Sequence, residues 1–162
     1  MQPISRPLRV LLLAALLVPI AAPAFAGPSE TAFLERLVGT WKGKGKITGP
    51  DGGPVACRLT FKAVGERLNF NGRCSGGGAA QSFSGVIRYN DAKGRYESTS
   101  SGTTVAGTKS GSSLVFASTQ KGLRGTVTST MTLSPSALKV QFKGVDARSG
   151  EQSSGTIPFS KG

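Results

Sequence analysis

The sequence predicts an all-β domain: an antiparallel up-and-down barrel of about ten strands, its floor closed by one short N-terminal helix. Three observations carry that expectation. Cys57 and Cys74 lie symmetrically about Gly65-Glu66, so a two-residue loop there sets the cysteines face to face. Short alternating segments separated by turn residues run from Trp41 to the C-terminus. A single segment with helical spacing, Ser29 to Val38, precedes them.

The first element is a leader. Residues 1–26 carry a basic head (Arg6, Arg9), an apolar stretch from Val10 to Ala22, and Ala24-Phe25-Ala26 as a small-x-small cleavage site before Gly27. The apolar run is short for a membrane span and contains Pro19. Cleavage near Ala26-Gly27 is therefore expected, with an uncleaved anchor as the alternative. It would leave a single domain, residues 27–162, periplasmic or secreted and without a transmembrane anchor. In such a compartment two cysteines are expected to be oxidised.

In the helix, Ser29 is placed to cap, Glu30 sits in the first turn, and Gly39 follows as a stop. Phe33, Leu34, Leu37 and Val38 form its apolar stripe. One amphipathic helix before a run of strands is suited to plug one end of a barrel.

Strand one is expected over Trp41–Thr48, before the turn from Gly49 to Pro54. Val55–Val64 and Arg67–Cys74 then form the hairpin, whose Gly-led loop suits a type II′ turn. In that register Cys57, Leu59 and Phe61 share a face with Leu68, Phe70 and Cys74, and Arg58, Thr60 and Lys62 stand outside. The two cysteines fall on a non-hydrogen-bonded pair, where opposed side chains are closest, and a disulfide is expected. Closing that loop is worth about 3 kcal/mol in the chain-entropy model.

Further strands are expected near Gln81–Tyr89, Arg95–Ser100, Thr103–Thr108, Ser113–Thr119, Leu123–Leu133, Leu138–Val145 and Gln152–Phe159. Even spacing with nearest-neighbour turns argues for a closed meander, with a sandwich as the alternative. In a meander alternate turns share an end. The turns at Gly65-Glu66, 90–94, 110–112 and 134–136 then lie at the helix end. Those at 49–54, 75–80, 101–102, 120–122 and 147–150 lie at the other, which is the candidate mouth.

The inward positions supply the candidate interior ligand-binding residues Trp41, Phe61, Phe70, Phe83, Phe116, Met131 and Phe142. Leu123 and Val127 also fall on that face, as do several glycines, Gly43, Gly72 and Gly155 among them. Small inward residues either relieve crowding or leave a cavity for an apolar ligand, and the sequence keeps both open.

Charge points outward. Removing Arg6 and Arg9 with the leader leaves eighteen basic against eight acidic side chains, a net charge of +10. Such a balance favours anionic surfaces and also keeps a β-protein soluble and discourages edge pairing. Lys42, Lys44 and Lys46 alternate with glycine as outward strand residues do. Arg58 and Arg73 would face one another outside, either splaying into water or compensated by an anionic partner. With Lys121 and Arg148 on mouth loops they make a candidate anion-binding rim. Nucleic acid is not expected, because aromatics do not interleave with the basic residues.

Enzyme chemistry finds little footing. The chain has no histidine, the commonest general base and a leading metal ligand. No serine sits in a nucleophile-elbow context, and Ser75-Gly76-Gly77-Gly78 leads into a strand where a phosphate loop needs a helix. No catalytic residue, metal site or cofactor is expected.

The stretch Leu37-Val38-Gly39-Thr40-Trp41-Lys42-Gly43-Lys44-Gly45 resembles the helix–Gly-x-Trp–strand opening of calycin barrels. It looks most like nitrobindin-type and related lipocalin-like bacterial proteins. The resemblance covers about fifteen residues in detail and the strand count in outline. It implies that Trp41 packs across the floor beside the helix and that the interior holds a small apolar ligand or haem. Nitrobindins bind haem through a histidine that this chain lacks, so the resemblance carries the barrel and not the haem.

Three functions follow as expectations. The first is an exported, non-enzymatic barrel holding a small apolar or amphipathic ligand. The second is a cell-envelope protein with a packed core, whose basic surface binds anionic lipid, lipopolysaccharide or glycan. The third is a periplasmic protease inhibitor presenting its N-terminal segment or a mouth loop.

Overall fold

Backbone pairing along the chain closes into a ring. In the computed structural model of the protein, which describes residues 27–50, 52–76 and 79–162, ten antiparallel strands form a barrel in which the first pairs with the last. Helix α1 (Gly27–Arg36) is followed by β1 (Gly39–Thr48), β2 (Gly53–Val64), β3 (Arg67–Gly76) and β4 (Ala79–Asn90). After them come β5 (Arg95–Ser100), β6 (Thr103–Ser110), β7 (Ser113–Gly122), β8 (Gly125–Leu133), β9 (Leu138–Asp146) and β10 (Gln152–Lys161). The expected leader, residues 1–26, lies outside the described residues.

The β2–β3 register is the expected one. Val64 pairs with Arg67 and Cys57 with Cys74, across a loop whose Gly65 has φ +57°. Cys57 and Cys74 are joined by a disulfide, S–S 1.99 Å and Cα–Cα 4.0 Å, on the inner face of the mouth half. Every strand pairs with its sequence neighbour, so turns alternate between the ends as a meander requires.

Helix α1 closes the floor. Phe33, Leu34 and Leu37 are buried, and the Trp41 indole Nε1 donates to the Leu37 carbonyl at 3.0 Å. Lys161, at the end of β10, donates to the Arg36 carbonyl at 2.9 Å, placing a cation at the helix C-terminus and tying the last strand to the plug. The Gly162 amide donates to the Thr40 carbonyl at 2.8 Å.

Two expectations are corrected. The helix spans Gly27–Arg36, so Ser29 lies within its first turn and Val38 is outside it, 36% exposed. Pairing of Gly39 with Phe61 draws residues 39–40 into β1 and ends the helix early. The β7–β8 turn is displaced as well: the ladder continues to Gly122–Gly125, leaving Leu123-Arg124 at the tip. Leu123, expected inside, is therefore 98% exposed.

Burial is graded along the barrel axis. At the floor Trp41, Leu68, Ile87, Leu114 and Leu133 are fully buried beneath α1. Towards the mouth the inward Ile47, Cys74, Phe83, Val140 and Phe142 are only partly buried, and Val127 is 47% exposed. The molecule is a cup with a filled base.

Candidate functional site

Five inward glycines each stand directly opposite a phenylalanine on the neighbouring strand: Gly43–Phe159, Phe70–Gly85, Gly72–Phe83, Gly107–Phe116 and Phe142–Gly155. A Cβ at Gly43 would meet the Phe159 ring at 2.7 Å, and one at Gly107 the Phe116 ring at 2.5 Å. The missing side chains are thus filled by rings, an arrangement that lets aromatics cover glycine backbone. Of the two roles open to small inward residues, these five make room for the core.

The expected interior residues follow from that packing. Trp41, Phe61, Phe70 and Phe116 are buried, and Met131 packs on the core opposite Phe116. Phe83 and Phe142 are partly buried, each set against its glycine. None of the seven lines the cavity at the mouth.

That cavity, about 720 Å³, lies between the ends of β1, β7, β8, β9 and β10. Ile47 and Val127 give it apolar wall, Gln120 and Ser153 polar atoms, and Lys121 and Arg124 a basic lip. Its two acids are engaged. Asp146 accepts the backbone amides of Arg148 and Ser149, both at 2.8 Å, and these bonds hold its carboxyl below the usual aspartate range. Glu151 accepts from the Ser149 hydroxyl at 3.2 Å.

The four expected rim cations divide. Lys121 lines the mouth, and Arg148 sits on the β9–β10 loop folded around Asp146. Arg58 and Arg73 instead face one another on the outer wall, as their register requires. They line a groove of about 400 Å³ with Thr60, Asn71, Ser82 and Ser84. Arg124 joins the lip outside the expected set, because the turn it occupies is displaced. Gly122 and Gly125 flanking a two-residue loop were the available signal.

Two charged clusters stabilise the helix end. Glu97 points outward yet is 2% exposed, covered by Arg88 at 3.2 Å, Lys93 at 3.0 Å, Arg95 at 3.6 Å and Asn90 at 3.0 Å. The Asn90 hydrogen bond, then Lys93, outweigh the loss of solvent and bring its pKa down to about 2. Glu30 on α1 accepts from the Tyr96 hydroxyl and from Lys109 at 3.3 Å. Burial raises the Glu30 carboxyl, but those two partners outweigh it and hold it below the ordinary glutamate range. Burial, and then Glu30, push the Tyr96 phenol up. The pair clips the helix onto β5 and β6. Among the described residues no group of three or more Cys, Asp or Glu is arranged to hold a metal ion.

No protein-family model and no curated protein matches the chain. Among solved structures, Rv2717c from M. tuberculosis superposes with a TM-score of 0.59 at 11% identity, over 82% of this chain and 97% of that one. The S-type phycobiliprotein lyase CpeS from Guillardia theta superposes with a TM-score of 0.57 at 12% identity, over 84% and 97%. With a closed ten-strand barrel and a helix at one end, the architecture is settled. The barrel is lipocalin-like in fold. At these identities the likeness establishes the fold alone.

Proposed function

We propose that this is an exported, non-enzymatic binding protein that takes a small amphipathic ligand with an anionic end into the mouth cup. The carrying observation is the cavity of about 720 Å³, with Ile47 and Val127 on its wall and Lys121 and Arg124 on its lip. An apolar body against the wall and an anionic head at the lip match that division. Among the described residues neither of the lip's acids is ion-paired with Lys121 or Arg124; both accept hydrogen bonds from their own loop.

The filled base sets the depth. A ligand would rest on the partly buried Phe142–Gly155 level and not descend among Trp41, Phe61 and Phe116. The Gly39-Thr40-Trp41 opening supports kinship with nitrobindin-type barrels, but the chain offers no histidine for their haem. Export is supported by the composition of residues 1–26 and by the Cys57–Cys74 bond, which an oxidising compartment maintains. Among the described residues no helix is long and apolar enough to cross a membrane.

Calorimetric titration of residues 27–162 with laurate and with decanol tests the reading. Laurate should bind more tightly than decanol. Val127→Asp and the pair Lys121→Ser/Arg124→Ser should each weaken laurate by tenfold or more. Absence of laurate binding, or binding indifferent to these changes, rejects the mouth as the site.

A further inference from the structure

Charge on the outer wall is one-sided. The outward positions of β9, β1, β2 and β3 carry Lys and Arg, those of β10 are uncharged, and none of the five strands turns an acidic side chain outward. The ion pairs among the described residues are made elsewhere, on Glu97 and Glu30. Within this face Arg58 stands directly between Lys42 on β1 and Arg73 on β3. Neighbouring strands are about 4.8 Å apart, so three cations stand in one row only about 10 Å across. Like charges so opposed are unfavourable unless something negative lies over them.

Two grooves cross this face, each between rows of cross-strand partners. One lies between Arg58–Arg73–Ser82 and Thr60–Asn71–Ser84 and measures about 400 Å³. The other, about 540 Å³, holds Lys46 and Lys143 with Thr130, Gln141, Ser154 and Thr156. In both, a pair of cations is interleaved with hydroxyls and carboxamides that donate and accept hydrogen bonds.

We propose that this wall binds an anionic polysaccharide, a hydroxyl-rich chain bearing carboxylate, sulfate or phosphate groups, laid across the strands in the two grooves. The cations meet its charges, and Ser, Thr, Asn and Gln meet its hydroxyls. A membrane matches the face less well. The wall is convex, and its exposed large apolar side chains, Val64 and Val145, lie at the strand ends. Nucleic acid matches less well too, because no outward position of these five strands is aromatic and bases have nothing to stack on.

The test uses residues 27–162 with polygalacturonate and heparin as probes, neutral dextran as control, and phosphatidylglycerol vesicles and oligothymidylate as competing anions. Two variants remove two charges each: Arg58→Ser/Arg73→Ser on the wall and Lys121→Ser/Arg124→Ser at the mouth. Binding of an acidic polysaccharide that weakens tenfold or more in the wall variant, but less than twofold in the mouth variant, is expected. The salt dependence should also become shallower in the wall variant. Equal losses would make net charge the only determinant and overturn the site. Vesicles or oligothymidylate bound as tightly as the polysaccharides, or no polysaccharide binding at low salt, would overturn the ligand class. The laurate titration reads the mouth separately, so either proposal can fail without the other.

Discussion

Gly155 on β10 stands directly opposite Phe142 on β9, and a Cβ at position 155 would meet the Phe142 ring at 2.6 Å. The same relationship recurs at four other Gly–Phe pairs around the wall. It explains how a barrel rich in inward glycine still buries its base. The packed base leaves the mouth and the outer surface as the places where a ligand has room.

Substituting Gly155 should overpack this contact. Gly155→Ala is expected to cost about 1–3 kcal/mol, the usual range for an extra methyl in a filled site. Adding Phe142→Leu should return part of that loss, since the shorter side chain clears the new Cβ. Urea unfolding of the four members of the cycle measures the coupling, and additive losses would show that ring and glycine are independent.

The disulfide should matter to stability more than to the floor. Cys57→Ala/Cys74→Ala opens a loop of sequence separation 17. It is expected to cost about 3 kcal/mol or somewhat less. Because Trp41 lies at the sealed end, its fluorescence in the folded variant should keep the buried character of the parent. An unchanged denaturation midpoint would mean that the bond constrains little.

Acid should weaken the protein through Glu97. Its carboxyl is held near pKa 2 by Asn90, Lys93 and Arg88, whereas in the unfolded chain it titrates near the ordinary 4.5. The stabilisation is therefore present above about pH 4.5 and lost as pH falls towards 2. Glu97→Gln should lower stability at neutral pH and flatten the acid limb of the pH profile. A variant whose acid limb matches the parent's would place the sensitivity elsewhere, with Glu30 as the next carboxylate to replace.

Relieving the Arg58–Arg73 opposition should help the isolated protein. Arg73→Thr is expected to gain about 0.2–1 kcal/mol at low salt, the scale of cross-strand pair effects. The gain should shrink as salt screens the charges. A loss at low salt would mean that the arginine stems contribute packing that outweighs their repulsion.

Much of this fold is legible in the sequence because β-structure with one dry face writes a period of two. From Gly65-Glu66 outward, every apolar residue of β2 and β3 up to the cysteines except Val64 beside the turn lands inside in a single register, which fixes Cys57 opposite Cys74 and Arg58 opposite Arg73. Around β7 and β8 the same logic weakens. Serine, threonine and glycine occupy both faces there, so the sequence pattern sets the turn two residues early and Leu123 in the core, whereas Leu123 stands at the exposed tip. The Glu97 cluster was invisible for another reason. Its cations come from β4, η1 (Asp91–Lys93) and β5, and only the folded turn brings them over one outward carboxylate. The mouth cavity was legible as an end but not as a lining, since its residues sit where five strands stop.

The most direct measurement is native mass spectrometry of the mature protein purified from its own compartment, beside Val127→Trp, which fills the cup. A ligand in the mouth requires a reproducible adduct that is lost on denaturation and absent from Val127→Trp. A bare protein mass in both, with no adduct regained on adding laurate, would contradict a ligand-binding mouth.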